Sequence, residues 1–128
     1  MLIHSIKSLI ATVSTGLMFA ASGAAHAADP GISEGTITLG MSAPFSGPNG
    51  AYGKEMKEGA MAYFAQLNAA GGIHGRKVEL LALDDGYETE KTVANTRKLI
   101  NEQKIFALMA YYGSSPTTEA MKVFSEAR

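Results

Sequence analysis

The sequence predicts an α/β fold, a parallel β-α-β-α-β-α sheet sandwiched by helices. Three observations carry that prediction. Residues 36–41, 77–83 and 105–110 are apolar or alternating runs of strand length. Residues 53–70, 88–103 and 117–128 follow them, and apolar side chains recur there at helical spacing. Glycine, proline, serine and asparagine punctuate the boundaries. Alternation of this kind builds parallel strands joined by right-handed crossovers, with helices on both faces.

The elements follow in order. Thr36-Ile37-Thr38-Leu39-Gly40-Met41 alternates polar and apolar residues and is rich in β-formers. The loop 42–53 is dense in Gly, Pro, Ser and Asn. The first helix places Met56, Ala60, Phe64 and Leu67 on one face with Tyr63 beside them, and Gly71-Gly72 ends it. The second strand, 77–83, is apolar on both faces toward its end, the pattern of an internal parallel strand. It stops at Asp84-Asp85-Gly86. The second helix is expected to take Thr89 as N-cap and to bury Val93, Thr96, Leu99 and Ile100. The third strand, 105–110, is wholly apolar and is expected to be central. Ser115 is the expected N-cap of the third helix, with Pro116 at its first position. That helix is expected to run on to residue 128.

The 128 residues suffice for one modest domain with one core. A formal net charge of −1 gives no basic surplus to attract nucleic acid. The chain has no cysteine, which excludes disulfides, cysteine-ligated metals and a thiol nucleophile. Residues 1–27 read as a cleaved export signal. Lys7 lies in the first segment without an acid, residues 9–21 are mostly apolar, and Ala25-His26-Ala27 offers small residues where a signal peptidase reads. Thr12, Ser14, Thr15 and Gly16 interrupt the apolar run, which is too short for the ~20 residues of a membrane span. Without Lys7 the mature chain has ten basic residues against twelve acids, a net charge of −2 that carries no reading about partners.

In such a sheet the loops after the strands meet at one edge, here residues 42–53, 84–88 and 111–116. Nucleotide chemistry is poorly supported there. Gly47, Gly50 and Gly53 recur at intervals of three, so no GxGxxG exists. A phosphate-binding GxxxxGK ending at Gly53-Lys54 would need glycine where Pro48 stands, and Glu55 replaces the following Ser or Thr. Hydrolysis fares no better. His74, the only histidine after the leader, falls at the opposite end of the sheet from Ser114 and reads as a polar turn residue. Asp84-Asp85 could suggest a phospho-accepting site, which export argues against. One of the two is expected to cap the second helix or to pair with a lysine. Binding chemistry remains. Ser114, Ser115, Thr117 and Thr118 place hydroxyls at a helix N-terminus, where free N–H groups favour a small anion. Tyr52, Tyr111 and Tyr112 add aromatic surface at the same edge.

The order of motifs is specific. Gly40-Met41-Ser42 is followed by Ser46-Gly47-Pro48, Tyr52-Gly53 and Gly59-Ala60. Asn68-Ala69-Ala70-Gly71-Gly72-Ile73-His74-Gly75-Arg76-Lys77 comes next, then Leu83-Asp84-Asp85. This series resembles the leucine/isoleucine/valine-binding protein family, the periplasmic solute receptors of ABC importers. The resemblance implies a type I periplasmic binding protein with two α/β lobes closing on a ligand in the cleft between them. It implies ligand contacts at Tyr52 and Ser114, with Ser115 and Thr117 beside them. It further implies a branched-chain amino acid or related ligand, a membrane permease as partner, a monomeric receptor, no cofactor and no enzymatic activity. Similar receptors bind short amides, urea or aromatic acids, and an extracytoplasmic sensor built on this fold is the second reading. Family members are far longer. Residues 28–128 are therefore expected to be an incomplete N-terminal lobe, with an apolar sheet edge left open.

Overall fold

A computed structural model describes residues 29–127; the expected export signal lies outside the described residues. The elements are β1 (Thr36–Ala43), α1 (Gly50–Ala69), β2 (Lys77–Asp84), α2 (Thr89–Arg97), β3 (Ala107–Leu108) and α3 (Ser114–Glu126). A π-helical turn, Lys98–Glu102, extends α2. The three strands form one parallel sheet in the order β2-β1-β3. β1 and β2 pair along their whole length, from Thr36 opposite Lys77 to Ala43 opposite Asp84. The chain steps from β1 to β2 in one direction, then back across β1 to β3. Right-handed crossovers in opposite directions put α1 on one face and α2 on the other. α3 packs on α2.

The expected centre of the sheet shifts. β1 is the middle strand, whereas β2 and the two-residue β3 are its flanks among the described residues. The reason lies in residue size. Gly40, Met41, Ser42 and Ala43 are all buried, and the bare face of Gly40 receives the side chains of Leu99 and Ile105. Small residues on β1 let helices approach both faces, which apolar content alone does not reveal. Leu81 of β2 stays exposed. Phe106, just before β3, is exposed as well, beside a groove lined by Pro30, Ile100 and Phe124. The third strand is short because only Leu39 and Gly40 are partnered by Ala107 and Leu108, and Ala110 turns into positive φ (55°).

The core centres on Met41, Leu99, Ala43 and Ala120, all fully buried. Sequestering side chains the size of Met41 and Leu99 contributes about 2–3 kcal/mol each. α1 buries Phe64 and half-buries Met56, Ala60 and Leu67, leaving Tyr63 in solvent. Its last turn is tied to the sheet by Asn68. The Asn68 amide donates to the Val78 carbonyl (2.9 Å) and accepts from the Val78 N–H (2.8 Å), imitating a neighbouring strand at the edge of β2. α1 stops at Gly71-Gly72, whose N–H groups bond the Asn68 and Leu67 carbonyls. α2 buries Thr92, Thr96 and Leu99, while Val93 and Ile100 are half-buried.

Helix starts also differ from expectation. α1 begins at Gly50, three residues early, because the loop carbonyls of Gly47 and Asn49 accept from Gly50 and Tyr52 N–H. Glu88, not Thr89, is the residue before α2, and no side chain caps that helix. α3 begins at Ser114 after Gly113, which places Pro116 third rather than first. The position still suits proline, since the first-turn N–H groups have no intrahelical acceptor. α3 closes at Glu126, before the end of the chain.

Candidate ligand-binding site

The end of β2 carries two adjacent acids, Asp84 and, just after the strand, Asp85, which do structural work in opposite directions. Asp84 faces the β1–α1 loop. Its Oδ1 accepts from the Phe45 and Gly86 N–H groups (2.7 and 3.0 Å), and its Oδ2 from the Ser46 hydroxyl (2.6 Å). Asp85 is fully buried. It accepts from the hydroxyls of Ser42 (2.8 Å) and Thr92 (3.1 Å) and from the Tyr87 N–H (2.9 Å). Asn95 completes the cluster, donating to the Ser42 hydroxyl and to the Asp84 carbonyl, both at 3.1 Å. The expectation that one acid caps the second helix or pairs with a lysine is therefore corrected. The ion pairs among the described residues are Lys91–Glu88 and Lys122–Glu119. The acids instead tie together the loops that make the edge.

Asp84 makes the loop sensitive to acid. Burial pulls its carboxyl pKa upward, but the Ser46 hydroxyl and the Phe45, Gly86 and Ser46 N–H groups outweigh this and hold it below the ordinary 3.8. A depressed folded-state value contributes stability above the unfolded value, and that stability is lost as pH falls through the folded one. The drop in Tm between pH 7 and pH 3 should therefore be smaller in Asp84→Asn than in the parent, and equal drops would show that the loop does not depend on this charge.

Each of the three loops at this edge presents a tyrosine. Tyr52 lies in the first turn of α1 and is 53% exposed. Its ring stacks on Tyr112, with centroids 5.2 Å apart and planes 11° from parallel. Tyr87, from the loop after β2, meets the Tyr112 ring at 5.7 Å and 55°. Parallel-offset and tilted pairs of this kind are the favoured aromatic arrangements. Tyr111 is not part of the group. Its hydroxyl meets that of Thr96 at 2.8 Å, and burial first, then the nearby Asp85, raises its pKa against that bond. It serves packing on α2.

Ser114 and Ser115 open α3, directly after Tyr112-Gly113, and both are exposed. Their N–H groups have no intrahelical acceptor, and Pro116 has no N–H to offer. The Ser115 hydroxyl lies 3.5 Å from that of Thr89, so the starts of α2 and α3 sit side by side. Thr117 is half-buried, and its N–H is already bonded to the Gly113 carbonyl. The Thr118 hydroxyl is turned back onto the Ser114 carbonyl. The fold thus brings the loop of Tyr52 to the loop of Ser114 and Ser115 through the Tyr52–Tyr112 stack. His74 sits in the turn before β2, at the other end of the sheet, with φ of 49°. Tyr87 is the residue that sequence reasoning passed over. Its place in the 84–88 loop was a usable signal, because that loop follows a parallel strand as the other two do.

Known proteins share the sequence pattern and the fold. The chain is 37% identical over 98 residues to a Leu/Ile/Val-binding protein of Rhizobium johnstonii, covering 77% of this chain and 24% of that one. It is 34% identical over 91 residues to an amino acid binding protein of Pseudomonas aeruginosa, covering 71% and 24%. Among solved structures it is similar to the branched-chain amino acid transporter substrate binding protein LivJ of Streptococcus pneumoniae, crystallised with isoleucine. The TM-score there is 0.69 at 32% identity, over 72% of this chain and 26% of that one. A fatty acid ABC transporter substrate-binding protein of Thermomonospora curvata gives a TM-score of 0.73 at 26% identity, over 78% and 25%. The chain spans about a quarter of the length of these relatives. All four are named as binding proteins. The family model for periplasmic binding proteins matches residues 36–128, and the chain belongs to that family.

Proposed function

We propose that this chain supplies one wall of the ligand cleft of a periplasmic substrate-binding protein of an ABC importer. Its ligand is a small amino acid-like carboxylate, a branched-chain amino acid or a close relative. Export is by a cleaved leader over residues 1–27, and a membrane permease receives the ligand. Tyr52 covers the apolar part of the ligand. Ser114 and Ser115, with Thr117 behind them, offer hydroxyls and helix N-terminal N–H groups to its carboxylate. A second lobe closes over the same edge and provides the acceptors for the ligand's ammonium group.

The observation that carries this reading is the joining of the β1 and β3 loops by the Tyr52–Tyr112 stack, with the start of α3 beside it. The names of the amino acid-binding relatives support the ligand class. Fold alone does not choose it, since the neighbour named for fatty acids fits the backbone equally well. The test is calorimetry on protein expressed from the complete reading frame, titrated with leucine, isoleucine, valine, urea, short amides and aromatic acids. Tyr52→Ala and Ser114→Ala should each weaken the binding of an amino acid about 10-fold, the equivalent of one aromatic contact or one charge-assisted hydrogen bond. Unchanged affinity in both variants would remove these residues from the site. Binding of urea or amides without binding of any amino acid would overturn the ligand class.

A further inference from the structure

Tyr87 is held in an unusual way. Its φ is 68°, a left-handed backbone conformation that a bulky residue adopts only when its surroundings hold it there. Two contacts do so. The Asp85 carboxyl accepts its N–H from within the buried cluster at 2.9 Å. On the other side, its ring lies against Gly113, where a Cβ would fall 2.5 Å from Tyr87 Cε2. Gly113 itself has φ of 93°. The loops after β2 and β3 are therefore fitted to each other through one ring. That ring is 43% exposed, so burial is not what the strain obtains. What it obtains is position. The Tyr112 ring meets both Tyr87 and Tyr52, and Tyr52 itself stays 53% exposed.

We propose that Tyr87 is a specificity-determining residue of the ligand site, fixing Tyr112 and through it Tyr52 as a flat aromatic wall that favours a carboxylate with a planar unsaturated side group over one with a branched aliphatic side chain. The inference rests on the ligand lying at this edge, as the preceding section argues, and, among amino acid carboxylates, shifts the preference from branched-chain to planar side groups. A planar group laid on the exposed Tyr52 ring would extend the stack already formed by Tyr52 and Tyr112. An aliphatic group gains area burial there but not the aromatic pairing, which is worth about 0.5–1.5 kcal/mol or roughly 2- to 12-fold in affinity.

The experiment uses protein from the complete reading frame, with phenylalanine and leucine as the probes. The parent should bind phenylalanine at least 3-fold more tightly than leucine. Tyr87→Phe should keep that ratio, since the wall uses the ring and not the hydroxyl. Tyr87→Gly removes the ring at a backbone conformation that glycine accepts without strain, so its Tm should stay near that of the parent. It should weaken phenylalanine more than leucine and bring the ratio close to one. A purely structural role would lower both affinities together along with Tm, leaving the ratio intact, and that result overturns the proposal. So does a parent that binds leucine as tightly as phenylalanine, in which case the receptor reading stands and the preference alone fails. Failure to bind either probe overturns the preference, and failure to bind isoleucine and valine as well overturns the ligand class.

Discussion

Asp85→Ala should unfold at markedly lower denaturant concentration than the parent, a loss of about 2–4 kcal/mol. The side chain is fully buried and accepts three hydrogen bonds, from Ser42, Thr92 and Tyr87. Truncation leaves a cavity and strands donors that water cannot reach. The donors are not equally stranded. The Thr92 hydroxyl keeps the Glu88 carbonyl at 3.1 Å as a second acceptor. Ser42, fully buried, keeps only the incoming bond from Asn95 and loses the acceptor for its own proton. Each buried donor left without a partner costs about 1–3 kcal/mol, more than the bond contributes when made. Asp85→Asn should cost less than half as much. It retains a carbonyl oxygen for the Tyr87 N–H, and the two hydroxyls can rotate to accept from the new amide. Urea unfolding of the three proteins gives the comparison. Equal midpoints for Asp85→Ala and the parent would mean that the cluster is not what joins β1, β2 and α2.

The same acid shows where the sequence stops being legible. The alternation of elements could be read locally, because strand and helix periods repeat within a few residues. So could the edge at which the loops after the strands meet, because parallel connectivity dictates it. Tyr52, Ser114 and Ser115 follow from that edge. The roles of Asp84 and Asp85 do not. Ser42 and Ser46, their partners, lie 43 and 38 residues away in the chain. A side chain satisfied across that distance looks the same, in a local window, as one that caps the next helix. The centre of the sheet was misread for a related reason. Apolar content marks residues 105–110 as covered, but which strand helices cover on both faces depends on how closely they approach, and that is set by Gly40 under Leu99 and Ile105. Tyr87's loop position placed it at the edge, but its role was set by its backbone. A tyrosine after Gly86 reads as one more loop residue until its positive φ and its contact with Gly113 turn it toward Tyr112. The π-helical turn at Lys98–Glu102 has no signature in its residues, and the Gln103 N–H simply reaches back to the Lys98 carbonyl at 3.0 Å.

Two glycines of α1 should respond to alanine with opposite signs. Helix propensity favours alanine over glycine by about 1 kcal/mol at an unconstrained interior position. Gly59 is such a position, exposed and with open space where a Cβ would stand. Gly59→Ala should raise stability by about 0.5–1 kcal/mol. Gly53 has the same intrinsic preference and a different neighbour. A Cβ there would fall 1.9 Å from the Pro44 carbonyl oxygen and 2.7 Å from its carbon. Both atoms are backbone, and Pro44 is fully buried, so neither can swing aside as a side chain would. The first turn of α1 would have to lift off the end of β1, taking Tyr52 with it and pulling on the Phe45 and Ser46 bonds to Asp84. Overpacking against rigid backbone costs about 1–3 kcal/mol or more and outweighs the propensity gain. Gly53→Ala should therefore lower Tm, while Gly59→Ala raises it. Because the displaced turn carries Tyr52, Gly53→Ala should also weaken ligand binding, with the effect on affinity persisting at temperatures where the variant is still folded. If Gly53→Ala were as stable as Gly59→Ala, the close approach of α1 to Pro44 would not exist in the folded protein. The wall built on Tyr52 would then have no fixed position relative to Ser114.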